Sequence, residues 1–244
     1  MNNMSIPIIE SIINILYPQV CVGCNRSNQI NKINNYICNE CYYDIKKHIP
    51  PFCSKCGRGL QEIKSIRRGE CAKCSNRQYY FQQAWSVCSY EGLIKDLIHR
   101  FKYKQKVQYK TIFRNLFHEF FENFDILKDV DFIIPIPLHS VRLREREYNQ
   151  SQILATMVSE ITQKPVNSDI LSRRKNTKSQ IDLDEKKRIK NISGCFAINN
   201  PTRIKSKSIL LMDDVLTTGT TLSEAAKAIN QFDPGKVYVL TLAS

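Results

Sequence analysis

Apolar residues recur along this chain with several rhythms, and each rhythm predicts a different element. Ile8, Ile9, Ile12, Ile13 and Leu16 follow helical spacing and predict an amphipathic helix over residues 1–18, stopped near Pro18. Its polar positions carry no Lys or Arg, so it reads as a helix packed on protein rather than lying on a membrane. Residues 84–90 predict a strand, and Leu93, Ile94, Leu97, Ile98 and Phe101 mark the buried face of a following helix. Two apolar runs, Phe132 to Ile136 and Ile209 to Met212, have almost no polar alternation, as expected of parallel strands covered on both faces. Helices are predicted from Ser151 and over 221–231, and a last strand from Val237 to Leu242. Strands alternating with helices make residues 77–244 an α/β domain: a parallel sheet with helices on both faces and ligands at the carboxyl ends of its strands.

Between the first helix and this domain the apolar pattern gives way to cysteine. Eight of the ten Cys form C-x-x-C pairs, Cys21/Cys24, Cys38/Cys41, Cys53/Cys56 and Cys71/Cys74. The start of the chain has no basic n-region and no small-residue cleavage site, and no apolar run reaches 18 residues. The expectation is therefore a cytoplasmic protein with no transmembrane span, whose cysteines bind metal rather than form disulfides. Residues 19–76 read as a double zinc ribbon, a small module holding two structural Zn²⁺ in Cys₄ sites that leave no coordination position open for catalysis. The spacing admits sequential or interleaved pairing of the four knuckles. Gly23 and Gly57 stand where backbone N–H groups can approach thiolate sulfur. A module this poor in apolar residues depends on its metal to fold, with a core separate from that of the sheet. His48 between the two groups reads as a bystander, and the isolated Cys88 and Cys195 as packed small hydrophobes.

Candidate chemistry begins where the run Ile209 to Met212 ends. Asp213 and Asp214 follow, then the loop Val215, Leu216, Thr217, Thr218, Gly219, Thr220 and Thr221, which opens a helix. Gly219 permits a tight turn, and N–H groups, Thr hydroxyls and the helix N-terminus together suit a phosphomonoester. The two carboxylates stand where a ribose on that phosphate presents its 2′- and 3′-hydroxyls. There is no G-x-x-x-x-G-K-[ST] loop and no G-x-G-x-x-G turn. The motif resembles the 5-phosphoribosyl 1-pyrophosphate (PRPP) signature of type I phosphoribosyltransferases.

A formal charge of +13 favours polyanionic partners, nucleic acid or phosphate-rich substrates, without choosing between them. Lys102, Lys104, Lys106 and Lys110 are interleaved with Phe101, Tyr103 and Tyr109. That mixture suits single-stranded DNA, bases stacking on rings and ammonium groups meeting phosphates. The same segment also reads as a solvated helix end whose aromatics face the core.

Taken together, the four C-x-x-C pairs, His99 to Tyr103, Pro135 to His139, Arg146 to Ser151 and the segment holding Thr177, Gln180, Arg188, Asn191, Gly194 and Phe196 resemble the ComF family. That family joins a double zinc ribbon to a type I phosphoribosyltransferase-like domain, and the similarity runs from about residue 10 to the end. Glu147 departs from it, standing where the family often has Gly. The resemblance implies PRPP or a related phosphoribosyl ligand bound with Mg²⁺, Asp213 and Asp214 holding the ribose. It implies a pyrophosphate loop at Leu138, His139, Arg142, Arg144 and Arg146. It also implies a flexible loop over 172–192 carrying Thr177, Gln180, Arg188 and Asn191. With eight basic and three acidic residues, that loop suits a segment ordered by polyphosphate and equally a plain surface loop. The family is implicated in natural transformation, so partners among the competence helicase and uptake machinery are expected. Two functions stay open: DNA handling with a PRPP site that binds without turnover, and catalytic phosphoribosyl transfer to an unassigned acceptor.

Overall fold

The computed structural model describes residues 20–27, 30–31, 34–61, 66–67, 69–103, 107–175 and 192–244. The helix expected over 1–18 lies outside them. The chain divides by packing into a unit over Met1–Lys46 and a larger one over Lys47–Ser244. The division falls inside the cysteine-rich segment, between its two groups of four cysteines.

In the smaller unit, β1 (Ile30–Asn31) pairs antiparallel with β2 (Asn34–Cys38), and α1 (Asn39–Tyr43) follows directly. Cys38 caps that helix through its sulfur, which accepts from the Cys41 N–H at 3.5 Å.

The larger unit opens with the antiparallel pair β3 (Ile66–Arg67) and β4 (Glu70–Cys71). Then come β5 (Gln83–Cys88), α2 (Gly92–Tyr103), a 3₁₀ turn (Val107–Tyr109), α3 (Lys110–Asn123) and β6 (Phe132–Pro135). Helices α4 (Ser140–Arg146) and α5 (Gln150–Thr162) precede the hairpin of β7 (Leu171–Arg173) and β8 (Phe196–Ile198). The chain finishes with β9 (Ile209–Val215), α6 (Thr220–Asn230) and β10 (Val237–Ala243).

Strands β5, β10, β9 and β6, in that order, form one parallel sheet. Strand β6 and the run Ile209 to Met212 of β9 are apolar without alternation because both faces of the sheet are covered there. Ile209 and Leu211 of β9, Ile134 of β6 and Val237 and Val239 of β10 pack with Leu222, Ala225, Ala226 and Ile229 of α6. The alternate residues Leu210, Met212 and Ile133 are equally buried but belong to the other face, where α5 lies on β6 and β9 and α3 lies on α5. Within the described residues, the elements expected from periodicity are present, each within a few residues of its expected bounds.

The second cysteine group shares the α6-side core. Cys53, Cys56, Cys71, Cys74 and Leu60 pack in one cluster with the sheet residues. Its first knuckle also closes the sheet edge: Ala84 and Ser86 of β5 donate their N–H groups to the Ser54 and Gly57 carbonyls at 2.7 and 3.2 Å. A Cβ at Gly57 would stand 2.4 Å from the Trp85 backbone, so this glycine is required by the approach of the knuckle to β5. The separate core expected for the whole cysteine module is therefore not found for its second half. An apolar-poor segment gains burial by adding to an existing sheet edge.

Candidate phosphate site and cysteine clusters

A cavity of about 410 Å³ opens at the carboxyl ends of β6 and β9. Asp213 and Asp214 end the apolar run of β9, and both line it. The Ser151 hydroxyl, from the first turn of α5, donates to Asp213 Oδ1 at 2.7 Å, and the Asp214 N–H donates to the same oxygen at 2.9 Å. Burial and the neighbouring charge of Asp214 push the Asp213 carboxyl up to about 6. Asp214 is 6% exposed, and its Oδ2 lies 2.8 Å from Lys102 Nζ. Burial opposes the charged Lys102 ammonium, but the ion pair and hydrogen bond to Asp214, with Asp213 behind, outweigh it and raise its pKa.

Val215 to Thr221 form one wall of this cavity. The loop is pinned at its base by the buried Leu216 and Leu222 and by Leu216 N–H on the Ala243 carbonyl at 2.9 Å. Gly219 has φ +74° and caps α6, and the Thr218 and Thr220 hydroxyls lie 2.9 Å apart. The loop's outer side is held by two residues that local motifs do not reveal. Tyr79 OH and Arg77 Nη1 donate to the Thr218 carbonyl at 2.7 and 3.2 Å.

Part of the cavity lining is cationic. His139 caps α4, its Nδ1 accepting from the Val141 N–H at 3.3 Å, while Leu138 lines the cavity. Arg142 and Arg146, one helical turn apart, both line it, together with Arg173 from β7. Burial, then the charges of Arg173 and Arg146, lower the Arg142 pKa, a repulsion that a bound polyanion relieves. Arg144, two residues from each, is exposed on the other side of the helix and does not line the cavity. Arg146 stacks 4.8 Å from the Tyr103 ring centre and donates to Gln150 Oε1 at 3.2 Å. Gln150 is 2% exposed, lines the cavity, and has no partner for its Nε2 among the described residues. Glu147 ends α4 at φ +66°, a left-handed conformation that favours glycine.

Two parts of the expected site change. Lys102, grouped in the sequence with lysines facing nucleic acid, instead turns into the cavity on the last turn of α2. Phe101 and Tyr109 are 0% and 9% exposed, so they face the core and cannot stack on bases, whereas Tyr103 is 49% exposed. Lys110 is exposed at the start of α3. Lys104 and Lys106 lie outside the described residues, as do Thr177, Gln180, Arg188 and Asn191.

Among the described residues two groups of four cysteines have ligand atoms within 4.8 Å of one another: Cys21, Cys24, Cys38 and Cys41, and Cys53, Cys56, Cys71 and Cys74. The pairing is sequential. Tetrahedral Zn²⁺ with bonds of about 2.3 Å separates its sulfurs by about 3.8 Å. Cys24 and Cys38 sulfurs, and Cys56 and Cys71 sulfurs, lie 3.8 Å apart. Gly23 and Cys38 N–H groups donate to Cys21 Sγ at 3.4 and 3.3 Å, and Cys71 N–H to Cys53 Sγ at 3.4 Å, as thiolate ligands require. Both groups are consistent with structural zinc sites. His48 stands apart from them, buried, with Nε2 3.4 Å from Ser244 Oγ, and burial and the nearby Arg58 charge lower its pKa to about 4. Burial pushes the Cys88 thiol up to about 12 and raises that of Cys195, so both are packing residues.

Residues 12–89 match the double zinc ribbon domain and residues 126–244 the phosphoribosyl transferase domain. Competence protein F of Haemophilus influenzae is 29% identical over 91% of this chain and 96% of its own length. Competence protein ComFC of Bacillus subtilis is 28% identical over 81% of this chain and 79% of its own. DNA utilization protein YhgH of Escherichia coli K12 is 25% identical over 78% of this chain and 88% of its own. Among solved structures, the allosteric regulatory enzyme of purine biosynthesis aligns over 53% of this chain and 25% of that one, with 16% identity and a TM-score of 0.35.

Proposed function

We propose, for a chain that belongs to the ComF family of double-zinc-ribbon proteins with a phosphoribosyltransferase domain, that its cavity binds PRPP with Mg²⁺ and that the protein handles single-stranded DNA in DNA uptake. One observation carries the first half. Two carboxylates line a single cavity together with a phosphate-type loop and three arginines. This set of groups complements a ligand that carries a monophosphate, a neutral diol and a pyrophosphate.

Gly219, the Thr hydroxyls and the first turn of α6 take the 5′-phosphate. Asp213 and Asp214 accept hydrogen bonds from the ribose hydroxyls. Both bonds that Asp213 already accepts fall on Oδ1. Asp213 Oδ2 and Asp214 Oδ1, with the ligand's own oxygens, would hold Mg²⁺, a hard cation suited to carboxylate and phosphate, since Asp214 Oδ2 already pairs with Lys102. What the ion supplies there is neutralisation of pyrophosphate charge. Arg142, Arg146 and Arg173 take pyrophosphate oxygens.

The DNA role rests on the relatives' names, competence protein and DNA utilization protein, and on the net charge of +13. Single-stranded DNA is the polyanion assigned to Lys104, Lys106 and Lys110, and uptake components on the cytoplasmic side are the partners. Among the described residues no helix is long and apolar enough to cross a membrane.

Calorimetry on one zinc-loaded preparation, with Mg²⁺·PRPP and separately with single-stranded DNA, tests both halves. PRPP is expected to bind and to be recovered intact. No PRPP binding overturns the reading of the cavity, no DNA binding overturns the other half, and steady pyrophosphate release in a candidate acceptor's presence moves the protein to the catalytic class.

A further inference from the structure

We propose that the second cysteine cluster is the mount of the phosphate loop, so that metal on Cys53, Cys56, Cys71 and Cys74 and a phosphate on residues 215–221 strengthen each other's binding. The inference deepens the reading of that loop as a phosphate site and rests on it.

The connection is a short chain of hydrogen bonds. Lys55 sits inside the first knuckle of the cluster. Its ammonium donates to the carbonyls of Cys74, a ligand of the second knuckle, and of Arg77 at 3.2 and 2.5 Å, and it pairs with Glu70 at 3.0 Å. The segment after Cys74 is thus tied to both knuckles. Three residues further on, this segment meets the loop, where Arg77 and Tyr79 converge on the Thr218 carbonyl. The Tyr79 ring also packs against Gly219, where an added Cβ would stand 2.7 Å from the ring. Tyr79 stacks in turn on Phe81, with ring centres 4.9 Å apart, and the Tyr80 N–H donates to Ser223 Oγ of α6 at 3.3 Å.

The geometry of one peptide explains what this does. In a trans peptide the C=O and the following N–H point in opposite directions. Drawing the Thr218 carbonyl outward onto Arg77 and Tyr79 aims the Gly219 N–H inward, to the cavity that Gly219 lines. Arg77 and Tyr79 are therefore positioning residues: they do not line the cavity, but they orient a donor that does. Metal in the cluster fixes Lys55 and Cys74, which fix Arg77. A phosphate that selects the same loop conformation must then favour the metal-bound cluster, since coupling between sites is reciprocal.

The test uses the full chain loaded with zinc, ribose 5-phosphate as a probe of the loop, and pyrophosphate as a probe of the arginines. Zinc release to an excess of chromogenic chelator is followed with and without saturating ribose 5-phosphate. The ligand is expected to slow release of one of two zinc ions by about tenfold. Tyr79→Phe and Arg77→Gln, each checked to hold both zinc ions, should lose this protection. They should bind ribose 5-phosphate about tenfold more weakly and pyrophosphate as the wild type does. Zinc release unaltered by ribose 5-phosphate that calorimetry shows to be bound overturns the coupling. Wild-type affinity for ribose 5-phosphate in both variants overturns the positioning role. No binding of ribose 5-phosphate to the wild type overturns the phosphate reading of the loop, and the inference with it.

Discussion

Lys102 Nζ lies 2.8 Å from Asp214 Oδ2, bringing the last turn of α2 onto the carboxylate pair that ends β9. The pair is mostly buried, and its contribution is better described as charge balance than as net stability, because desolvation offsets much of the attraction. Without Lys102, two neighbouring carboxylates would share a cavity with no cation beside Asp214.

Replacing Lys102 with Gln tests that balance. The Lys102 charge holds the Asp213 carboxyl down against burial and Asp214, so its loss pushes that carboxyl further above about 6. Mg²⁺·PRPP binding by the wild type should weaken as pH falls through about 6, and in Lys102→Gln the same weakening should set in at higher pH. Calorimetry across a pH series reads both midpoints; superimposable profiles would remove Lys102 from the site's electrostatics.

The raised Asp213 carboxyl also sets a pH dependence of stability. In the unfolded chain this group titrates near about 3.9, so between there and about 6 the folded state binds the extra proton. Its stabilising contribution is full below about pH 4 and is lost as pH rises through about 6. Asp213→Asn keeps an acceptor for Ser151 and for the Asp214 N–H while removing the charge. At neutral pH it should gain about 1–2 kcal/mol in urea unfolding, a figure discounted for the carboxylate's contact with solvent, and the gain should vanish near about pH 4. The same variant, and the double variant with Asp214→Asn, should lose Mg²⁺-dependent PRPP binding.

The two cysteine clusters should behave differently. Cys21→Ser with Cys24→Ser should lose one zinc ion and leave PRPP binding in place. Cys53→Ser with Cys56→Ser should lose the other, free the edge of β5, and lower both the melting temperature of the sheet domain and its PRPP affinity. Metal analysis, thermal unfolding and calorimetry on the two variants check this. Equal effects would contradict the shared core.

For DNA, the expectation now falls on lysines outside the cavity. Lys104→Gln, Lys106→Gln and Lys110→Gln should each reduce the salt slope of single-stranded DNA binding by roughly 0.7 for every phosphate the lysine neutralises, whereas Lys102→Gln should not. Tyr103→Ala should cost about 1–3 kcal/mol if a base stacks there. A wild-type affinity insensitive to salt would assign the +13 charge to phosphate ligands instead.

At the end of α4, Glu147 occupies a left-handed conformation at φ +66°. Glu147→Gly should relieve that strain and raise stability by about 1 kcal/mol in denaturant titration. A loss instead would mean that the Glu side chain contributes more than its backbone costs.

Short-range features of this protein were legible in the chain alone. Uninterrupted apolar runs announce β6 and β9 because strands covered on both faces cannot alternate. The Asp213 to Thr221 motif is contiguous, since a strand end, a turn and a helix start are all the geometry it needs. Cysteine spacing announces metal for the same reason: a knuckle is a local turn. Distance in sequence hides the rest. Lys102, Arg173, Arg77 and Tyr79 reach the site from α2, β7 and the segment after Cys74, over separations that no local pattern encodes. Lys102 and Tyr103 were indistinguishable from a basic, aromatic run until packing buried Phe101 and turned its neighbour into the cavity. The sequential pairing of the knuckles and the fusion of the second cluster with the sheet were likewise decided in three dimensions. A poor core gains most by burying itself against a better one, and only the folded chain shows where that partner stands.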